Sequence, residues 1–339
     1  MSSKAYADHA LQLVRQLQSD FVKGLESTAA SIGEQVVFEK AEWLRDGGEH
    51  GGGDRFFTSD NEVFNRASVN VSHIHYHDLP GKALASATAL STIIHPQNPH
   101  APSVHMHISW TEMKNGKGYW RVMADLNPSI EYADDKAAFE KALAESAPEQ
   151  FDEAKAQGEK YFFIPALGRH RGVVHFYLEG YRSDNFEADQ ALARGVGERA
   201  IASYLTIFRQ ALKNRTVIAE ADLASQLEYH TLYFFQVLTL DRGTTSGLLV
   251  HDQNDLGIMG SLPGRVDKSL LISWKEKMES PQDDLLAALI DALPESGEVN
   301  DDVRCNLAVA VREHYQSHPE ALQRQASGNV IPPTVQNHR

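Results

Sequence analysis

The feature that most restricts the fold is a series of β-rich runs between residues 35 and 125, joined by short connections. Residues 35–45, QVVFEKAEWLR, read as a strand. FFTSDNEVFNRASVNVSHIHYH at 56–77 carries the turn signal Ser59-Asp60-Asn61 between two β-rich halves and reads as a hairpin. LSTIIHPQNPHAPSVHMHISW at 90–110 reads as strand, proline-rich turn, strand, and residues 116–124 as the next strand. Parallel neighbours need crossovers of a dozen or more residues, so these runs pair antiparallel. The glycine-rich DGGEHGGGDR at 46–55 reads as a loop.

Helical patterns surround the β-rich runs. Leu11, Val14, Leu17, Phe21 and Leu25 form one stripe over residues 8–29, and helices fit 133–147, 150–160, 186–213, 282–293 and 302–316. Further strands fit 171–181, 230–240 (HTLYFFQVLTL) and 246–251. No linker composition or internal repeat interrupts the chain. The expected fold is therefore α+β: a single domain over residues 1–320, with a large, mainly antiparallel sheet flanked by helices on both faces. Residues 321–339 form a polar C-terminal tail that is expected to fray.

Charge and composition exclude several classes. A formal charge of −14 argues against binding the phosphate backbone of nucleic acid. No apolar run approaches the roughly 18 residues of a membrane helix, so no membrane insertion is expected. The N-terminus lacks a signal-peptide core, and the single Cys305 excludes an intramolecular disulfide. Both point to a cytoplasmic protein. The unusual residue is histidine. Of 16 in the chain, seven fall between His73 and His107. Residues two apart on a strand share a face, so His105 shares a face with His107, and His73 with His75 and His77. Such a face suits a site for Zn, Fe, Ni or Cu, or a row of solvated and hydrogen-bonded imidazoles.

Six segments, in order, resemble the oxygen-dependent coproporphyrinogen III oxidase family. They are EWLRDGGEHGGGDR at 42–55, FNRASVNVSHIH at 64–75, IIHPQNPHAPSVH at 93–105, YFFIPALGRHRGVVHFYLEG at 161–180, LDRGTTSGL at 240–248 and MGSLP at 259–263. The resemblance implies a broad antiparallel sheet with the active site against one face, and a homodimer. It implies oxidative decarboxylation of two propionates of a tetrapyrrole substrate, coproporphyrinogen III, to vinyl groups in haem biosynthesis. Dioxygen is the co-substrate and no organic cofactor is needed. Some bacterial members carry a divalent transition metal.

Carried over residue by residue, the resemblance makes His105 the proton donor, a role suited to a group titrating near neutrality. A strand histidine bonded to a backbone carbonyl is the alternative. Asp125, in ADLNP, matches the aspartate that accepts pyrrole N–H groups, although Asp-Leu-Asn-Pro is also turn chemistry. Ser91 matches a substrate-contacting serine. His95 and His105 match metal ligands. The remaining ligand positions fall on Glu140, which can ligate a metal, and Ala166, which cannot.

The departures concern substrate cations. His107 and Ser109 stand where the family has asparagine and arginine, and Asp252-Gln253-Asn254 replace a Gly-Ser-Arg loop. Two lost charge-assisted contacts cost about 3–6 kcal/mol if nothing compensates. Arg121, Arg171 and Arg242 are the candidate replacements. Two other functions compete with the oxidase: a histidine-site metalloenzyme with another substrate, and a non-catalytic tetrapyrrole- or haem-binding protein on the same scaffold.

Overall fold

The computed structural model describes residues 3–338. Helix α1 (Ser3–Ala30) precedes six strands: β1 (Glu39–Leu44), β2 (Gly51–Ser59), β3 (Phe64–His75), β4 (Leu84–Pro96), β5 (Ser103–Met113) and β6 (Gly118–Asn127). Helices α2 (Ala133–Ser146) and α3 (Phe151–Phe162) lead to the short β7 (Phe163–Ile164) and β8 (Arg169–His170), then to β9 (Val174–Tyr181). The remainder is helical: α4 (Phe186–Asn214), α5 (Glu220–Thr239), α6 (Arg242–Val250), α7 (Asp255–Ile258), α8 (Lys268–Lys275), α9 (Gln282–Ala292), α10 (Asp301–Ser317) and α11 (Thr334–His338).

The large sheet runs β1-β2-β3-β4-β5-β6-β9 with every neighbour antiparallel. The β2–β3 connection is the hairpin its turn residues specify. Asn61 Oδ1 accepts from the Val63 and Phe64 amides at 3.0 and 2.9 Å, and Asp60 adopts φ 54°.

Strand alternation divides the sheet into two chemically different faces. Val69, Val71, Leu90, Ile94, Met106, Ile108, Val122, Ala124 and Phe176 pack against α1, α2 and α4 in one core. The opposite face carries Asn70, Ser91, His105, His107, Ser109, Arg121, Met123 and Glu179, which line a cleft. A second apolar core, built from α5, α6, α8, α9 and α10, lies beyond that face and includes the sheet residue Ile93. The α+β expectation, with helices on both faces of an antiparallel sheet, therefore holds.

Three local expectations fail. Of the residues read as strands at 230–240 and 246–251, all but the C-caps Leu240 and His251 are helical, in α5 and α6. Every residue from Tyr229 to Thr239 is buried, so this helix lacks a polar face and its sequence shows no 3.6-residue period. The glycine-rich segment is half strand. In β2, a Cβ on Gly51, Gly52 or Gly53 would lie 2.2 Å from a carbonyl oxygen of a flanking strand, so glycine is what lets the three strands close there. The tail, over its described residues 321–338, is packed and does not fray. Ala321, Gln325, Val335 and Asn337 are buried, and α11 packs against α6. Among the described residues no helix is long and apolar enough to cross a membrane.

Candidate active site

The β5–β6 register places His105 opposite Asp125, His107 opposite Met123, and Ser109 opposite Arg121. Ser91 on β4 stands opposite His107. These side chains, with the exception of Asp125, line a cleft of about 260 Å³.

His105 Nδ1 lies 2.8 Å from Asp125 Oδ1. Asp125 is fully buried behind the imidazole. Its other oxygen meets Arg171 Nη2 at 3.1 Å and accepts from Asn127 Nδ2 at 2.6 Å. Burial pushes the Asp125 carboxyl up, but Arg171, His105 and Asn127 outweigh it and hold the group below the usual carboxylate range. An ionised Asp125 fixes a proton on His105 Nδ1 and leaves Nε2, which bonds to no described residue, on the cleft side. The arrangement can exchange a proton through Nε2 with a group bound in the cleft.

This geometry changes the expected role of Asp125. A carboxylate with its oxygens committed to His105, Arg171 and Asn127 is not presented to a substrate. Arg171 is likewise withdrawn. It is 1% exposed, paired with Asp125, and its guanidinium carbon sits 4.7 Å from the Phe162 ring centre and 5.0 Å from that of Tyr233. Asp125 and Arg171 are supports behind His105.

The cation at the cleft is Arg121. Its Nε lies 3.3 Å from Glu179 Oε2, and its Nη2 donates to the Tyr161 hydroxyl at 3.0 Å. Tyr161 donates in turn to Asp241 Oδ2 at 2.9 Å, and Asp241 Oδ1 caps α6 through the Thr244 amide at 2.7 Å. Burial lowers the Arg121 proton affinity, yet Glu179, Tyr161 and Asp241 more than restore it. Burial pushes Glu179 up against the pull of Arg121. His107 bonds Ser109 Oγ at 3.0 Å, and burial beside Arg121 keeps its imidazole neutral.

The other candidates separate. Arg242 lines the cleft but donates to the carbonyls of Leu322, Gln325 and Ala326, so it ties the tail down. Of Asp252, Gln253 and Asn254, only Asn254 reaches the cleft, because the other two point to solvent.

The metal set does not assemble. His95 is completely buried, with Nδ1 3.0 Å from Ser103 Oγ and Nε2 3.2 Å from the Ser261 carbonyl, so both ring nitrogens are occupied by protein. Glu140 lies on α2, whose Phe139 and Leu143 belong to the core on the other sheet face, and it pairs with Lys155 at 2.5 Å. His73 sits on β3 with the parity of Val69 and Val71, facing away from His105, with Nδ1 2.7 Å from Thr88 Oγ1. His75, at the same parity, is likewise turned away, and His77 follows beyond the strand end. Among the described residues, no group of three or more His, Cys, Asp or Glu is placed to hold a metal ion. The residues present do not fit the metal that the resemblance implies, and no chemical step is routed through one.

The C-terminal segment roofs the cleft. Pro332, Thr334, Asn337 and His338 contribute to its lining. Lys82 Nζ donates to the His338 carbonyl, Lys160 donates to the Gly328 carbonyl at 2.9 Å, and the His338 ring packs edge-on against Tyr76 and His251. Sequence reasoning missed this roof, and it missed Glu179, Asp241 and Tyr161. The available signal for Glu179 was an acid within the apolar strand VVHFYLEGY, at the parity of His175.

An antiparallel α+β sheet with a polar cleft on one face and a carboxylate-backed histidine in it defines the class. The coproporphyrinogen III oxidase family profile matches residues 9–293, and the chain belongs to that family. It is 27% identical over 270 residues to the mitochondrial oxygen-dependent coproporphyrinogen-III oxidase of Rattus norvegicus, which covers 72% of this chain. The chain spans 59% of that relative's length.

Proposed function

We propose that the protein carries out the oxygen-dependent oxidative decarboxylation of coproporphyrinogen III, as a homodimer acting on a tetrapyrrole bound over the β4–β5–β6 face. In each step a propionate loses carbon dioxide and a β-hydrogen to become a vinyl group. The two electrons released reduce dioxygen, which takes up two protons to give hydrogen peroxide. His105 exchanges the proton at the cleft and Asp125 holds its orientation. Ser91, His107 and Asn254 contact the substrate, and Arg121 receives a propionate in place of the arginine that Ser109 replaces.

The observation that carries this reading is the juxtaposition, on one cleft, of the free Nε2 of His105 with the guanidinium of Arg121, one strand away. A proton-exchanging group and a carboxylate-binding cation are the parts the chemistry needs. The deciding experiment is an aerobic assay with coproporphyrinogen III, following carbon dioxide release and vinyl porphyrin formation. Turnover abolished by His105→Gln supports the proposal. No turnover by the parent chain refutes it.

Two observations favour a second reading, a non-catalytic tetrapyrrole binder. Arg121 is already paired with Glu179, and the roofed cleft lies below the roughly 300–1,000 Å³ usual for ligand sites. Tight coproporphyrin binding without turnover, in parent and tail-deleted chains alike, would select that reading.

A further inference from the structure

A second cavity, of about 1070 Å³, opens between the β2–β3 hairpin, α5, the 259–261 turn and the start of α10. Arg55, Arg66 and Arg304 all line it. Register places Arg55 opposite Asn70 and Arg66 opposite Ser59, so both project from the face that carries the histidine cleft, toward its far end.

The arginines are unequally partnered. Arg304 pairs with Asp301 at 2.5 Å and donates to the Val299 carbonyl at 2.7 Å. Among the described residues Arg55 donates only to the Leu256 carbonyl, at 2.6 Å, and it lies over the Phe57 ring. Arg66 is 8% exposed and has neither a hydrogen bond nor an ion pair among the described residues. The Nε atoms of all three are buried without a partner. Arg304 repels both Arg55 and Arg66, and burial first, then this repulsion, pulls Arg66 down to about 10 against the weaker attraction of Asp60 and Asp301. Asp60, Glu298, Asp301 and Asp302 also line the cavity, but all four are solvent-exposed. Apart from Asp301, which reaches in to pair with Arg304, the acids sit at its rim while the buried wall is cationic.

Buried charges in folded proteins are ordinarily paired. Here buried Arg66 and half-buried Arg55 make no direct ion pair among the described residues, and only the more distant carboxylates of Asp60 and Asp301 offset their charge, beside a cavity wide enough to admit an anion. We propose that this cavity is an oxyanion site that takes a phosphoryl group, with Arg66 and Arg55 as its ligands and Arg304 behind them. A phosphate dianion matches two cations that have no direct ion-pair partner, and its oxygens accept from guanidinium forks. A carboxylate carries one charge and would leave one cation without such a partner. The inference does not depend on the reaction proposed for the histidine cleft.

The test is thermal unfolding of the full chain titrated with inorganic phosphate, glycerol 3-phosphate or acetate, at ionic strength held constant with chloride. A ligand that binds the native state raises the unfolding midpoint with saturation. Phosphate or glycerol 3-phosphate is expected to do so, in the parent and in Arg121→Gln alike. Arg66→Gln and Arg55→Gln should weaken the apparent affinity at least tenfold, and Arg66→Lys should recover part of it. Should Arg66→Gln fail to fold, Arg55→Gln decides. Saturation at lower concentration with glycerol 3-phosphate assigns the site to a phosphorylated metabolite, and equal saturation assigns it to free phosphate. The proposal is overturned by midpoints that follow the chloride control, by a response that survives both arginine variants, or by acetate acting as well as phosphate. It is also overturned by a response lost in Arg121→Gln instead, which places the anion in the histidine cleft.

Discussion

Ser109 and Arg121 are directly opposed on β5 and β6. On the proposed function, Arg121 takes the place of the cation that Ser109 lacks, from the neighbouring strand, at the same height on the same face. Arg121→Gln should therefore raise the KM for coproporphyrinogen III by about 10- to 150-fold, the equivalent of one charge-assisted contact of about 1.5–3 kcal/mol. Ser109→Arg would set two guanidiniums face to face, which is destabilising, and it should fail to improve binding. Steady-state kinetics on the two variants checks both expectations.

Glu179 is buried and Arg121 is half-buried at the cleft, and the two depend on each other. Removing Arg121 alone leaves buried Glu179 with the Tyr177 hydroxyl but no paired cation and should cost about 1–3 kcal/mol of stability. The double variant Arg121→Met/Glu179→Leu should recover much of that loss, because apolar groups of similar volume replace a buried pair with little penalty. Denaturant unfolding of the single and double variants measures the difference.

Asp125→Ala should damage the fold as well as turnover. It orphans Arg171, which is 1% exposed and paired with no other carboxylate among the described residues, at a cost of about 3–5 kcal/mol. Asp125→Asn keeps the shape and should be milder. The folded-state pKa of Asp125 is depressed, so its stabilisation is complete above the unfolded value near 3.9 and is lost as pH falls through the folded value. Acid unfolding of Asp125→Asn should accordingly show a shallower dependence below about pH 4 than the parent.

His230 works at higher pH. Burial pushes it down to about 3, against roughly 6.5 in the unfolded chain. Between those values the unfolded state binds the extra proton, so stability falls as pH drops below about 6.5, by up to about 1.4 kcal/mol per pH unit for this residue. Stability should be flat in this respect above pH 7. His230→Gln should reduce the slope between pH 6 and 4, read from denaturant midpoints across the range.

Deleting residues 329–339 should open the cleft. If the roofed form leaves on the order of 10% of molecules open, removal of the roof raises apparent affinity for coproporphyrinogen III roughly tenfold. Fluorescence titration with the porphyrin form gives the constant. Equal affinity in both chains would show that the roof does not restrict entry.

Much of the sheet was legible because its signals are local. Asn61 makes its own turn, the proline-rich run at 96–102 ends one strand before the next begins, and alternation alone assigns His105, His107 and Ser109 to one face. Where burial surrounds an element, the local signal vanishes. That is why α5 read as a strand, its residues from Tyr229 to Thr239 having no exposed side to mark a period. The glycines of β2 read as a loop because their reason is the carbonyls of two other strands.

The sequence by itself determined the antiparallel β-rich layout, the family resemblance and the residue types available for chemistry, since these depend on neighbours along the chain. Only the tertiary structure decided which of them meet. It withdrew Asp125 and Arg171 behind His105, turned His73 and His75 to the opposite face, occupied both nitrogens of His95, and brought Arg121 to Ser109 and His338 over the cleft. Strand register and the docking of distant segments set these contacts. Both depend on burying apolar faces across the whole chain, and that sum cannot be read from any one stretch of it.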